Sequence, residues 1–91
     1  TPLFMASHQG HLPVVQHLVR AGADINKAAN NGITPLFMAS HQGHLPVVQH
    51  LVRAGADINK AANDGSTALR TARTFGRMEV ASFLEGAGAT A

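Results

Sequence analysis

The chain repeats itself. Displaced by 33 residues, segment 1–33 overlays segment 34–66 with two differences, Asn31 against Asp64 and Ile33 against Ser66. Segment 67–91 is a divergent third copy that keeps Thr67, Leu69, Ala72, Gly76, Val80, Leu84, Ala87, Gly88 and Ala89. It retains glycine, small residues and the aliphatic spacing, which is the subset that packing requires. A fold with one central core needs different residues in different places. Near-identical tandem copies suit a linear stack instead, in which every unit meets the same neighbours. The expected organisation is one domain over 1–91, divided into units 1–33, 34–66 and 67–91.

Within the second unit, Thr34-Pro35 is a helix start: the hydroxyl can accept an orphan backbone N–H, and proline has φ already fixed at the first helical position. The run Leu36 to Gln42 makes about two turns, and Gly43 provides a C-terminal stop. Leu45-Pro46 opens a second helix whose Val47, Val48, Leu51 and Val52 form a broad apolar face, with Gln49, His50 and Arg53 opposite. Residues 56–66 lack helical rhythm and carry Asp64-Gly65. The matching Asn31-Gly32 is a strong tight-turn signal, because both residues tolerate positive φ. Each unit is thus helix, tight loop, helix, hairpin-like loop. Both helices are shorter than the ~12–15 residues at which isolated helices become marginal, so stability must come from the stack.

The pattern Gly32-Ile33-Thr34-Pro35-Leu36-Phe37-Met38-Ala39, then Gly43-His44-Leu45-Pro46-Val47-Val48, Leu51-Val52 and Gly55-Ala56-Asp57-Ile58-Asn59, resembles the ankyrin repeat over essentially the whole chain. The resemblance implies an all-α solenoid of stacked helix-turn-helix pairs with projecting β-hairpin-like loops. It also implies a concave groove lined by loop tips and first helices, a protein-binding role, and an intracellular, cytoplasmic setting. His11 and His44 would tie the inter-helix turn to neighbouring backbone. The chain departs from the family in having Phe4, Phe37 and Arg70 after the Thr-Pro-Leu position, where histidine is usual, so hydrophobic packing must replace its hydrogen bonding in the first two units. The third unit, with Ala68 for proline and Arg77 for histidine, reads as a degenerate terminal repeat. The first unit's outer face should be exposed, and the whole reads as a fragment of a longer array.

Composition narrows the chemistry. No cysteine is present, which excludes disulfides, thiolate metal sites and cysteine nucleophiles. A net charge of +2 is too small to point to nucleic acid or a membrane surface, and no apolar run approaches the length of a membrane span. His8, His11, His17 and their copies His41, His44, His50 do not read as a metal site: equivalent residues in stacked units lie about 8–10 Å apart, too far for a common ion. His17 and His50 are expected in solvent. Asp24 and Asp57 read as turn-capping groups. No serine lies in a nucleophile-elbow pattern and no glycine-rich phosphate loop occurs. The chain is therefore read as a non-enzyme without cofactor or metal.

The expected function is protein–protein interaction. Candidate contacts are the tips, Asn30, Asn31, Ile33, Asn63, Asp64 and Ser66, and the first-helix residues Phe37, Met38, His41, Gln42, Thr74 and Phe75. Met38, His41 and Gln42 share one helical face, with Met5, His8 and Gln9 beside them and Thr71, Thr74 and Phe75 beyond. The methionines either line that groove or fill gaps between units. Arg70, Arg73 and Arg77 form a basic stripe, read as a solvated terminal face or as a surface for an acidic partner segment. The alternative function is a structural or assembly element that self-associates end to end through exposed faces, head to tail or as a dimer.

Overall fold

The computed structural model describes residues 1–90; Ala91, the last residue of the expected third unit, lies outside the described residues. Six helices follow one another: α1 (Pro2–Gln9), α2 (Leu12–Arg20), α3 (Pro35–Gln42), α4 (Leu45–Arg53), α5 (Ala68–Thr74) and α6 (Met78–Gly86). No strand occurs among the described residues.

Local sequence dictates each boundary. Thr1, Thr34 and Thr67 cap α1, α3 and α5, each hydroxyl accepting a backbone N–H three residues on, from Phe4 (3.1 Å), Phe37 (3.2 Å) and Arg70 (3.2 Å). At the other end, Gly10 and Gly43 adopt left-handed φ of 74° and 77°. That conformation lets the following N–H close on the last turn, His11 on Ala6 O (3.0 Å) and His44 on Ala39 O (2.9 Å). The third unit reproduces this turn with Gly76 at φ 71° and Arg77 N–H on Ala72 O (2.8 Å).

The helices form two rows. α1 packs on α3 and α3 on α5, giving an inner row; α2, α4 and α6 form the outer row, and each pair packs within its unit. Between the rows runs one continuous interior, including Leu3, Leu36, Leu69, Val15, Val48, Leu51, Val80 and Leu84. The stack measures 31 × 25 × 21 Å, as three helix layers about 8–10 Å apart require.

Neighbouring units are also joined by recurring hydrogen bonds. The His44 ring Nε2 donates to His8 O (2.9 Å), and at the next junction Arg77 Nε donates to His41 O (3.0 Å). The arginine therefore performs the histidine's task in the degenerate unit. A second series runs along the loops: Asp57 N–H donates to Asn26 Oδ1 (2.8 Å) and Thr90 N–H to Asn59 Oδ1 (2.9 Å). The expected tie from His44 to neighbouring backbone is thus present. His11, its counterpart in the first unit, is exposed.

Position in the stack decides burial even where sequence is identical. Val47 is 1% exposed and its twin Val14 is 46% exposed. Val47 lies against the first unit, whereas Val14 lies on the outer face of the first unit, which no described residue covers, as expected. The opposite end differs. Ser7 and Ser40 are wholly buried under the unit that follows them, whereas the equivalent Arg73 is exposed and pairs with Glu85 at 3.3 Å, which stands where α4 has Val52. The trailing side of the third unit is thus polar where the other two units bury serine.

Candidate functional site

Two groups of candidate contact residues lie at opposite ends of the inner helices, separated by the roughly 12 Å length of an eight-residue helix. The first group is the loop tips. In each loop a short backbone ring closes the turn: Ala29 N–H donates to Ile33 O (2.9 Å) and Gly32 N–H to Ala29 O (2.9 Å), repeated by Ala62 to Ser66 O (2.8 Å) and Gly65 to Ala62 O (2.9 Å). Gly32 and Gly65 supply φ of 82° and 86°. The Asn31 side chain accepts from Ile33 N–H (3.2 Å), and Asp64 from Ser66 N–H (2.9 Å). The one side-chain oxygen that the turn needs is common to both residues. The hydrogen bond from Ser66, helped by nearby Arg70, holds the Asp64 carboxyl below its ordinary value.

The two tips also touch. Asn63 N–H donates to Asn31 O (2.9 Å) and the Asn63 amide to Asn30 O (3.1 Å). The tips therefore form one edge. Asn30, Asn31, Asn63 and Asp64 are exposed there, with Ile33 and Ser66 half-buried at its base.

The second group crosses a unit boundary. The rings of His41 and Phe75 meet edge to face, centroids 4.3 Å apart at 61°. Gln42 Nε2 lies 3.2 Å from His41 Nδ1 and 4.0 Å from Met38 Sδ. Met38, His41, Gln42 and Phe75 thus make one contiguous patch, with Phe75 53% exposed and Thr74 exposed beside it. The Phe75 ring thus keeps an apolar face open to solvent while one edge is held by His41.

Several expectations need correction. Phe37 is 7% exposed, so it belongs to the interior and offers almost no surface to a partner. The packing expected in place of the family's histidine is present, and it takes Phe37 out of the contact set. Thr71, 5% exposed, is likewise interior. His17 is exposed, whereas His50 is half-buried with its Nε2 enclosed and unpartnered, unlike the solvated ring expected. The basic stripe divides into three roles: Arg77 ties units together, Arg73 pairs with Glu85, and Arg70 stands exposed near the tip. Among the described residues no group of histidines and carboxylates converges on a metal position. A shallow cleft of about 280 Å³ is lined by Gly43, Leu45 and Gly76 to Val80. No helix among the described residues is long and apolar enough to cross a membrane.

Comparison with known proteins places this geometry. The family described as ankyrin repeats, in three copies, matches residues 1–90. A crystal structure of the human ASB11 ankyrin repeat domain is superposable over 100% of this chain with a TM-score of 0.95 and 30% identity, and the chain spans 41% of it. Alpha-latrotoxin-Lh1a of Latrodectus hasselti is 56% identical over 34 residues, which cover 37% of this chain and 2% of the toxin. Ankyrin repeats are generally protein–protein interaction modules and typically have no enzymatic activity.

Proposed function

Since the chain belongs to the ankyrin-repeat family, we propose that residues 1–91 act as one non-enzymatic, intracellular module that binds a protein partner across its loop tips and inner helices. The observation that supports this most is the patch formed by Met38, His41, Gln42 and Phe75. It joins two units, and its exposed aromatic edge is fixed by the His41 ring. Phe75 is the anchor, Met38 adapts its shape to an apolar partner group, and Gln42 with Thr74 supplies hydrogen bonds at the rim. The tips Asn30, Asn31, Asn63 and Asp64 contact the same partner at the other end of the surface. Both groups are held by a rigid stack, so little ordering entropy is lost on binding.

The test is partner capture by the wild-type chain, compared with Phe75→Ala and Met38→Glu. Both variants should keep the wild-type melting temperature and lose the partner, while Gln49→Ala on the outer row retains it. Undiminished capture by both groove variants contradicts the reading. Self-association of whole chains, head to tail, is less well supported because the two ends do not match: one is apolar at Val14, and the other carries the Arg73–Glu85 pair.

A further inference from the structure

The two loop tips are the same turn built on different side-chain chemistry. Asn31 and Asp64 hold the same position, and each side-chain oxygen accepts the N–H two residues on, from Ile33 (3.2 Å) and Ser66 (2.9 Å). Each is followed by a glycine of positive φ whose N–H donates to a carbonyl three residues back, Gly32 to Ala29 and Gly65 to Ala62, both at 2.9 Å. The folded turn therefore holds a carboxamide and a carboxylate in the same geometry. At the first tip a second constraint enforces the glycine. A Cβ on Gly32 would stand 2.7 Å from Asn63 Oδ1 and 2.9 Å from Asn63 N, whereas one on Gly65 would meet nothing within 4 Å. The contact between the tips thus requires that Asn31 be followed by a residue without a side chain.

That pairing is reactive. The carboxamide carbon of an asparagine lies within reach of the next residue's backbone nitrogen, so attack is intramolecular, and glycine puts no side chain in its way. Asn26, Asn30, Asn59 and Asn63 precede Lys27, Asn31, Lys60 and Asp64, whose side chains crowd the same nitrogen. Asn26 and Asn59 also have their Oδ1 engaged in hydrogen bonds between units.

We infer that Asn31 is a modification site, where loss of the side-chain amide converts the first tip to the carboxylate form already present at Asp64. The Gly32 nitrogen gives up its proton to solvent base and bonds to Asn31 Cγ. The Cγ–Nδ2 bond breaks, and the amide takes up a proton and leaves as ammonia. Water then opens the succinimide. Addition at Cγ restores the main chain and gives aspartate; addition at the main-chain carbonyl gives isoaspartate. The net change is one water consumed and one ammonia released. The fold governs both rate and outcome. Gly32 N–H is held by Ala29 O, so the tip must open before attack. Aspartate fits the closed turn as Asp64 does. Isoaspartate adds a methylene to the main chain and displaces the Asn31 carbonyl from the Asn63 N–H. The new carboxylate lacks the nearby cation that Asp64 has in Arg70, because Phe37 stands in the equivalent place. This inference is independent of the groove reading.

The test is incubation of the 91-residue chain in mildly alkaline buffer, folded or in guanidinium chloride, followed by tryptic peptide mapping by mass. Peptide 28–53 should become deamidated at Asn31 in both states, about 10- to 100-fold more slowly when folded, as local opening of a surface turn requires. Asp64→Asn recreates the reactive pair with Gly65 and should acquire the same change at position 64, again more slowly in the folded chain. Asn31→Asp, the product with an intact main chain, should melt within about 3 °C of wild type. Equal rates in the two states, or another asparagine reacting before Asn31 in the folded chain, overturn the inference. So does an unchanged Asn31 over a period in which about 100-fold slowing would be visible, or a larger fall in melting temperature for Asn31→Asp.

Discussion

His44 and Arg77 perform one task with two chemistries, each donating a ring or guanidinium N–H to a carbonyl of the unit before it. Each close approach is possible because a glycine lies beneath it: a Cβ on Gly10 would stand 2.6 Å from the His44 ring, and one on Gly43 would stand 2.8 Å from the Arg77 side chain. Arg77→Ala and His44→Ala should each lower unfolding free energy by about 1 kcal/mol, while Arg77→His should retain most of the stability; urea titration measures all three. The role of His44 was legible through the family resemblance. That of Arg77 was not, because its spacing with Arg70 and Arg73 looked like a surface stripe, and spacing along one helix says nothing of a carbonyl 36 residues away. Phe37 was misjudged for a related reason: on an inner helix, neighbouring units cover more of the surface than a single helical face implies.

At the scale of elements, short helices depend on their caps and on the loops that separate them. The Thr34 cap is buried and the identical Thr1 cap is exposed, so Thr34→Ala should cost about 1–2 kcal/mol and Thr1→Ala less. Thermal melts of the two variants check the difference. The tight turns were legible from Asn31-Gly32 and Asp64-Gly65. That the two tips join into one edge was not, because the loops' additional partner is the neighbouring loop, through Asn63 and Asn31. The substitution Asn31 against Asp64 carries a pH signature. The folded Asp64 carboxyl lies below its ordinary value of 3.8, so its contribution is complete above that value and is lost as pH falls through the folded one. Asp64→Asn should remove this part of the acid sensitivity while leaving the turn intact. The observable is the urea midpoint followed from neutral pH down to about pH 2. An unchanged acid profile in the variant would show that Asp64 does not titrate differently on folding.

On the scale of the whole molecule, the repeat in the sequence predicted the stack and the open side of the first unit, but the polar pair on the third unit had to be seen. One end carries the same apolar side that is buried between units, and the other replaces serine and valine with an arginine–glutamate pair. Opening should therefore start at the first unit, with amide exchange slowest in α3 and α4, which have neighbours on both sides. The most direct test of a shared interior is a pair of substitutions in identical sequence surroundings, Leu18→Ala and Leu51→Ala. Only the neighbouring unit distinguishes them, so Leu51→Ala should cost about 2–5 kcal/mol in urea unfolding and Leu18→Ala less than half of its twin's cost. Equal costs at the two positions would contradict a stack in which each unit covers the next.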